Sequence, residues 1–303
     1  MPRGVAPTSP LDPLWTSLQI ARIRPSVYFT PGYNAPIYSR SPFLITIHDL
    51  IHLRVAGEGS AAIRIYYEHI VRPALFKAYG VLTVSDFSKQ EITAWSGVPA
   101  ENIVVVGNGV SSGFAPIGPR HAEDRPYLLY IGNRKPHKNL ARLLRAFRLA
   151  RIDRDVILLC SGVRDAAIEH WIQEAGLKET AVRFAGEIPE NRLPGYYRGA
   201  LAVLIPSLYE GFGLPALEAM ACGTPVLAGN RTALPEIIAQ AGLLVDPENV
   251  EALSDGIRRI VDDNELRDRL KSLGPKTAAR FNWEETSKRV QRILDAAAEG
   301  RNQ

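Results

Sequence analysis

Short apolar runs alternate with amphipathic stretches along most of this chain, and that alternation predicts a series of βα units. In the second half the apolar runs are Tyr127 to Ile131, Val156 to Cys160, Val182 to Ala185, Ala202 to Ile205, Pro225 to Ala228 and Leu243 to Val245. Between most of them lie stretches of helical period, including Asn139 to Arg151, Asp165 to Ala175 and Pro189 to Gly199. Strands that are apolar at nearly every position and separated by helices belong in a parallel sheet covered on both faces. The second half therefore reads as a complete doubly wound α/β domain. The first half follows the same grammar but starts late. Val27 to Thr30, Leu44 to Ile47, Val81 to Val84 and Ile103 to Val106 read as strands, with helices near Ala61 to Ala78 and Phe87 to Trp95. Further helices fall near Val250 to Asp262, Glu265 to Arg280 and Trp283 to Glu299. Proline, glycine and charge gather from Ala115 to Pro126, which reads as the link between domains. The expected division is 1–118 for an incomplete first Rossmann-like domain and 119–282 for the second. A helix over 283–303 is free to pack back on the first.

Composition narrows the classes. Over 303 residues, 46% hydrophobic and 22% charged, the chain has enough apolar material for two cores. No apolar run approaches the ~20 residues of a spanning helix, and Met1 to Pro10 lacks the apolar centre of a leader peptide. The only cysteines, Cys160 and Cys222, make a poor disulfide framework, so a reducing, cytoplasmic setting is expected. A net charge of +4 invites a nucleic-acid reading, but the basic residues punctuate helices among acids, as in Arg267-Asp-Arg-Leu-Lys271. Solvated helix faces explain them, and no nucleic-acid partner is expected. A modest positive potential would still favour anionic ligands or an anionic membrane face.

The stretch Ser207-Leu-Tyr-Glu-Gly-Phe-Gly-Leu-Pro-Ala-Leu-Glu-Ala-Met-Ala-Cys-Gly-Thr-Pro-Val226 holds the densest candidate chemistry. A buried strand ends before it, and Glu210 to Leu214 forms a turn. Pro215 suits the first helical turn, and Gly223 suits a left-handed C-terminal cap. Backbone N–H groups and a positive helix end gather at Gly211, Phe212, Gly213 and Leu214, an arrangement suited to a phosphate. Glu210 and Glu218 stand on either side of it. A second basic run, Tyr130-Ile-Gly-Asn-Arg-Lys-Pro-His-Lys-Asn139, turns at Gly132 after a strand and offers Arg134 and Lys138 as phosphate-binding cations. His48, in Ile47-His-Asp-Leu50, ends a strand on the edge where open α/β sheets bind ligands. Ser85-Asp-Phe-Ser-Lys89 reads mainly as a helix cap. Asp153-Arg-Asp155 satisfies a metal-binding DxD spacing but falls at the amino end of a strand, so it reads as a loop and no metal is expected.

The Glu-Gly-Phe-Gly-Leu-Pro run with a second Glu eight positions on resembles the retaining, nucleotide-sugar-dependent glycosyltransferases of family 4, which have the GT-B fold. The resemblance begins near Arg24. It implies two Rossmann-like domains facing across a cleft, with the amino-terminal one short of strands here. A truncated form, a minimal domain, or a protein partner or oligomer that completes it would each account for that. It further implies transfer of a hexose of the mannose or glucose type from a nucleoside diphosphate to a hydroxyl of a saccharide or lipid-linked acceptor, without metal or other cofactor. An acceptor of that kind would place the protein at the inner face of a membrane. By the same resemblance Lys138 and Arg134 neutralise the diphosphate, Glu210 engages the donor sugar, Glu218 accepts from the ribose and His48 touches the transferred sugar. Ile188, after Phe184-Ala-Gly-Glu, offers its backbone to the base. Asn108-Gly-Val110 is similar to the family too, but Ser111 stands where an Asp is usual. The alternatives are a non-catalytic sugar-nucleotide-binding or scaffolding subunit and a sugar-nucleotide epimerase.

Overall fold

The computed structural model describes residues 11–152 and 155–300. The chain divides into two units, Met1–Gly109 with Trp283–Gln303, and Val110–Asn282. Residues 110–118 thus cluster with the second unit, for local reasons. The Val110 N–H donates to the Phe281 carbonyl (3.3 Å), and the Arg198 guanidinium donates to Ala115 O (3.0 Å) and Pro119 O (2.8 Å).

In the first unit four parallel strands, β1 (Tyr28–Thr30), β2 (Phe43–Thr46), β3 (Gly80–Thr83) and β4 (Ile103–Val105), lie in the order β1-β2-β3-β4. Side chains alternate across a strand, and here successive residues join different cores. Phe43, Ile45, Val81 and Ile103 pack with Val71, Leu75 and Ile92 of the following helices. Leu44 and Leu82 face the other way and pack with Ile293 of helix Trp283–Ala298. Val290, Ile293, Leu294 and Ala297 form the i, i+3, i+4, i+7 stripe that makes this possible. The stretch read as one helix, Ala61 to Ala78, is broken by a π-helical turn over Tyr67–Val71. Pro73 stands two residues beyond it; it has no N–H to donate and its ring crowds the carbonyl four residues back, so the wider turn relieves both problems. Helix Asp12–Ile23 was not anticipated. Pro13, Ser17 and Ile20 supply its buried stripe.

The second unit is a six-stranded parallel sheet of β5 (Tyr127–Tyr130), β6 (Ile157–Cys160), β7 (Val182–Phe184), β8 (Ala202–Ile205), β9 (Val226–Gly229) and β10 (Leu243–Val245). Its order is β10-β9-β8-β5-β6-β7. The chain winds outward from β5 through β6 to β7, then restarts beside β5 with β8 and winds the opposite way. Loops leaving β5 and β8 at their carboxyl ends therefore diverge, and in open α/β sheets ligands bind where they do. One face is sealed by Leu143, Leu144, Ile257 and Ile260 against Leu128, Leu158 and Leu204. Leu129 and Val203, pointing the other way, are equally buried.

Candidate functional site

The loops after β5 and β8 are laced together before any functional side chain is considered. The Leu208 N–H donates to His137 O at 2.7 Å. The buried Asn139 amide donates to Pro206 O (2.9 Å) and Pro247 O (2.7 Å), so one side chain joins the loops after β5, β8 and β10. Asn139 adopts φ 60°, a left-handed conformation that asparagine tolerates better than most residues. The Tyr130 hydroxyl, beneath the same loop, donates to Asn133 O at 2.9 Å. A Cβ at Gly132 would stand 2.8 Å from that hydroxyl, so glycine is required for the turn to close over it.

On this frame Lys138 Nζ meets Glu210 Oε1 at 2.7 Å, across the switch between β5 and β8. Their side chains are 18% and 12% exposed, so the pair is largely but not wholly desolvated. A little beyond, Gly213 (φ +99°) turns the chain into helix Leu214–Ala221, whose first turn has no side-chain cap. A Cβ at Gly213 would fall 2.7 Å from Leu234 Cδ2, which is fully buried and has no room to retreat. Gly213→Ala is therefore expected to destabilise the protein by roughly 2–4 kcal/mol, by combining an unfavourable φ with overpacking. Chemical denaturation measures this; an unchanged midpoint would mean that the turn is not held as described.

Glu218, one turn along the helix, is half-buried, and its Oε2 accepts from the Tyr197 hydroxyl at 2.8 Å. Burial pushes its carboxyl up to about 7; the tyrosine hydrogen bond pulls the other way, and Glu190 adds a smaller upward push. Tyr197 itself is fully buried, and burial raises its phenol well above the ordinary value.

The structure thus gathers Gly132, Lys138, Glu210, Gly211, Phe212, Gly213, Leu214 and Glu218 on the loops and helix around the switch point. Phe212 is buried, edge-on to Phe281 with ring centres 5.7 Å apart, and fixes the turn rather than facing solvent. Arg134 goes elsewhere. It is 61% exposed and pairs with Asp165, the carboxylate that also caps helix Ala166–Glu174. Ile188 is half-buried in the loop after β7, where Gly186 O accepts from the Gly162 N–H at 2.8 Å. His48 is exposed in the other unit, beyond β2, with Nε2 2.9 Å from Pro31 O. A carbonyl only accepts, so Nε2 carries the proton. Asp49 accepts from the Ile51 N–H, and Ser85 caps helix Asp86–Ser96 through the Ser88 N–H. Asp153 and Arg154 of the DxD pattern lie outside the described residues, while Asp155 pairs with Arg125 at 2.8 Å. Among the described residues no group of three or more His, Cys, Asp or Glu could hold a metal ion, and no helix is long and apolar enough to cross a membrane. Cys160 and Cys222 are free and buried, and burial raises both thiols, Cys222 to about 11.

Sequence reasoning missed Asn139, Tyr197 and Thr232. Asn139 reads from sequence as a helix start, although an Asn directly after Lys138 is a usable sign. Tyr197 and Thr232 carried no local signal, because their partners Glu218 and Glu210 lie 21 and 22 residues away.

The model of the family described as glycosyl transferases group 1 matches residues 116–277, and that of glycosyltransferase family 4 matches residues 3–114. The chain is 35% identical over 274 residues to an O-antigen chain mannosyltransferase B of Escherichia coli, covering 85% of this chain and 71% of the relative. Sucrose-phosphate synthase from Thermosynechococcus elongatus superposes with a TM-score of 0.77 at 27% identity, over 94% of this chain and 77% of that one. The Anabaena protein HepE, solved in complex with UDP and glucose, has the same fold, with a TM-score of 0.75 at 18% identity. It covers 95% of this chain and 83% of its own.

Proposed function

This chain belongs to the glycosyl transferases group 1, and we propose that it moves a hexose of the mannose or glucose type from a nucleoside diphosphate to a hydroxyl of a saccharide or lipid-linked acceptor. The observation that carries this reading is the Lys138–Glu210 pair at the β5/β8 switch, flanked by an uncapped helix start. Breaking a sugar–phosphate bond leaves negative charge on the departing diphosphate, and a fixed cation and helix end in a partly dry site stabilise it well. Lys138 has three donors, so it can hold Glu210 and still donate to a phosphate oxygen. Glu210 would orient the donor sugar through its hydroxyls, and Glu218 would accept from the ribose. His48 would contact the transferred sugar, and the backbone at Ile188 the base. Arg134, tied to Asp165, is proposed to reach the diphosphate only after leaving that partner. The two carboxylates position the donor; retention at the anomeric carbon and independence of metal and other cofactors belong to the same proposal.

Thermal unfolding with GDP, GDP-mannose, UDP and UDP-glucose tests it. A ligand at 100 times its dissociation constant stabilises the native state by about 2.7 kcal/mol, a rise of several degrees. One nucleotide sugar of the panel is expected to produce that rise and to be consumed when an acceptor saccharide is supplied. Stabilisation without transfer would move the reading to a sugar-nucleotide-binding subunit, and no stabilisation by any of the four would sink it.

A further inference from the structure

The loop after β9 touches the turn that carries Glu210 at both ends. Thr232 Oγ1 accepts from the Glu210 N–H at 3.0 Å and donates to Arg231 O at 2.8 Å. The next residue, Ala233, donates its N–H to Glu210 O at 3.3 Å. The residue after that, Leu234, packs where a side chain on Gly213 would have to go. Three consecutive residues, at the end of this loop and the start of helix Leu234–Ile238, therefore fix the backbone from Glu210 to Gly213. The loop is itself braced from β10, since Asn230 N donates to Val245 O (2.8 Å) and Arg231 pairs with Asp246 (3.3 Å) and Glu248 (2.6 Å).

Thr232 adopts φ +57° to do this. A branched Cβ is poorly accommodated in left-handed backbone, and such outliers persist only where surrounding contacts over-determine them, most often at functional sites. Glycine or asparagine would serve a plain turn at lower cost. What threonine adds is a hydroxyl that faces the Glu210 amide. We propose that Thr232 is a positioning residue for Glu210, latching the backbone on which this carboxylate stands so that it meets the hydroxyls of the donor sugar. The proposal rests on the function given above, in which Glu210 engages the sugar and Glu218 the nucleoside.

The Thr232 hydroxyl bonds the Glu210 amide, while the Ala233 amide and the Leu234 side chain hold the rest of the turn without it, so losing the hydroxyl predicts a split that a structural role would not produce. Calorimetry on the full chain measures how much more tightly GDP-mannose binds than GDP, with UDP-glucose and UDP run in parallel. In Thr232→Val, which keeps the shape and loses the hydroxyl, the sugar-dependent gain in affinity is expected to fall about tenfold, the scale of a lost hydrogen bond to a charged group. Affinity for the bare nucleotide should stay within about twofold, and Thr232→Ser should keep the wild-type gain. Thr232→Gly, which relieves the backbone and has no hydroxyl, should lose the gain while melting at or near the wild-type temperature. Equal loss of nucleotide and nucleotide-sugar binding in the valine variant would make Thr232 structural and overturn the proposal, as would an undiminished sugar gain in the glycine variant. Glu210→Ala is the control. If the wild type and Glu210→Ala show the same sugar gain, the assignment of Glu210 fails; if only Glu210→Ala loses it, the latch alone fails.

Discussion

Lys138→Ala is expected to slow sugar transfer by about 100- to 1000-fold, the range seen when one preorganised charge-stabilising donor is removed from an active site. The reason is geometric as well as electrostatic. Lys138 is the cation that meets Glu210 across the divergence of β5 and β8, and its side chain is four-fifths buried there. In the proposed reaction its removal would take a positive charge from the leaving diphosphate, and it leaves the Glu210 carboxylate, only 12% exposed, without its ion-pair partner. Stability should therefore drop as well, by about 1–3 kcal/mol. Adding Glu210→Gln to Lys138→Ala should recover part of that stability but none of the rate, because the neutral amide no longer needs a counter-ion. Steady-state rates and melting curves on the wild type and the two variants read both effects. A Lys138→Ala protein that transfers sugar at more than a tenth of the wild-type rate would remove this lysine from the chemistry.

The second large effect is set by pH. In the native protein Glu218 holds its proton up to about 7, against an ordinary 4.5, chiefly because it is buried. The native state then binds more protons than the unfolded chain between those two values. Stability consequently falls as pH rises from about 4.5 to about 7 and is flat above, with a total of roughly 3 kcal/mol from this group. Nucleotide binding should run the other way. An ionised carboxylate is the better acceptor for two ribose hydroxyls, so affinity should climb by up to tenfold per pH unit until about 7 and then level off. Glu218→Gln is expected to flatten both profiles. Tyr197→Phe, which deletes the hydrogen bond favouring the charge, should shift the affinity midpoint to higher pH. A nucleotide affinity that stays level from pH 5.5 to 8 in the wild type would show that Glu218 does not meet the ligand in its charged form.

The parallel sheets and most of their strands were legible because each strand is a short, nearly continuous apolar run between helical patterns, a property that needs no partner to be seen. β2 and β8 are examples, buried at every position. The turn at Gly211 to Gly213 and the helix after it were legible for the same reason, since Pro215 and Gly223 mark their ends locally. Arg134 shows where that kind of reading stops. It lies four residues before Lys138 in sequence, but an ion pair with Asp165, 31 residues on, holds its side chain.

By its sequence alone this protein fixed its class and the residue types at its site, because hydrophobic period, proline, glycine and the spacing of two glutamates act over a few neighbouring residues. Tertiary structure alone decided which of those residues meet. The closing of Lys138 on Glu210, Tyr197 on Glu218, Thr232 on the Glu210 backbone and Asn139 across three loops all join groups that lie 21 to 108 residues apart. Such pairings depend on strand order, which apolar period does not specify. The restart of the sheet beside β5 brings Lys138 to Glu210 and Asn139 to Pro206, and the pairing of β8 with β9 brings Thr232 to Glu210.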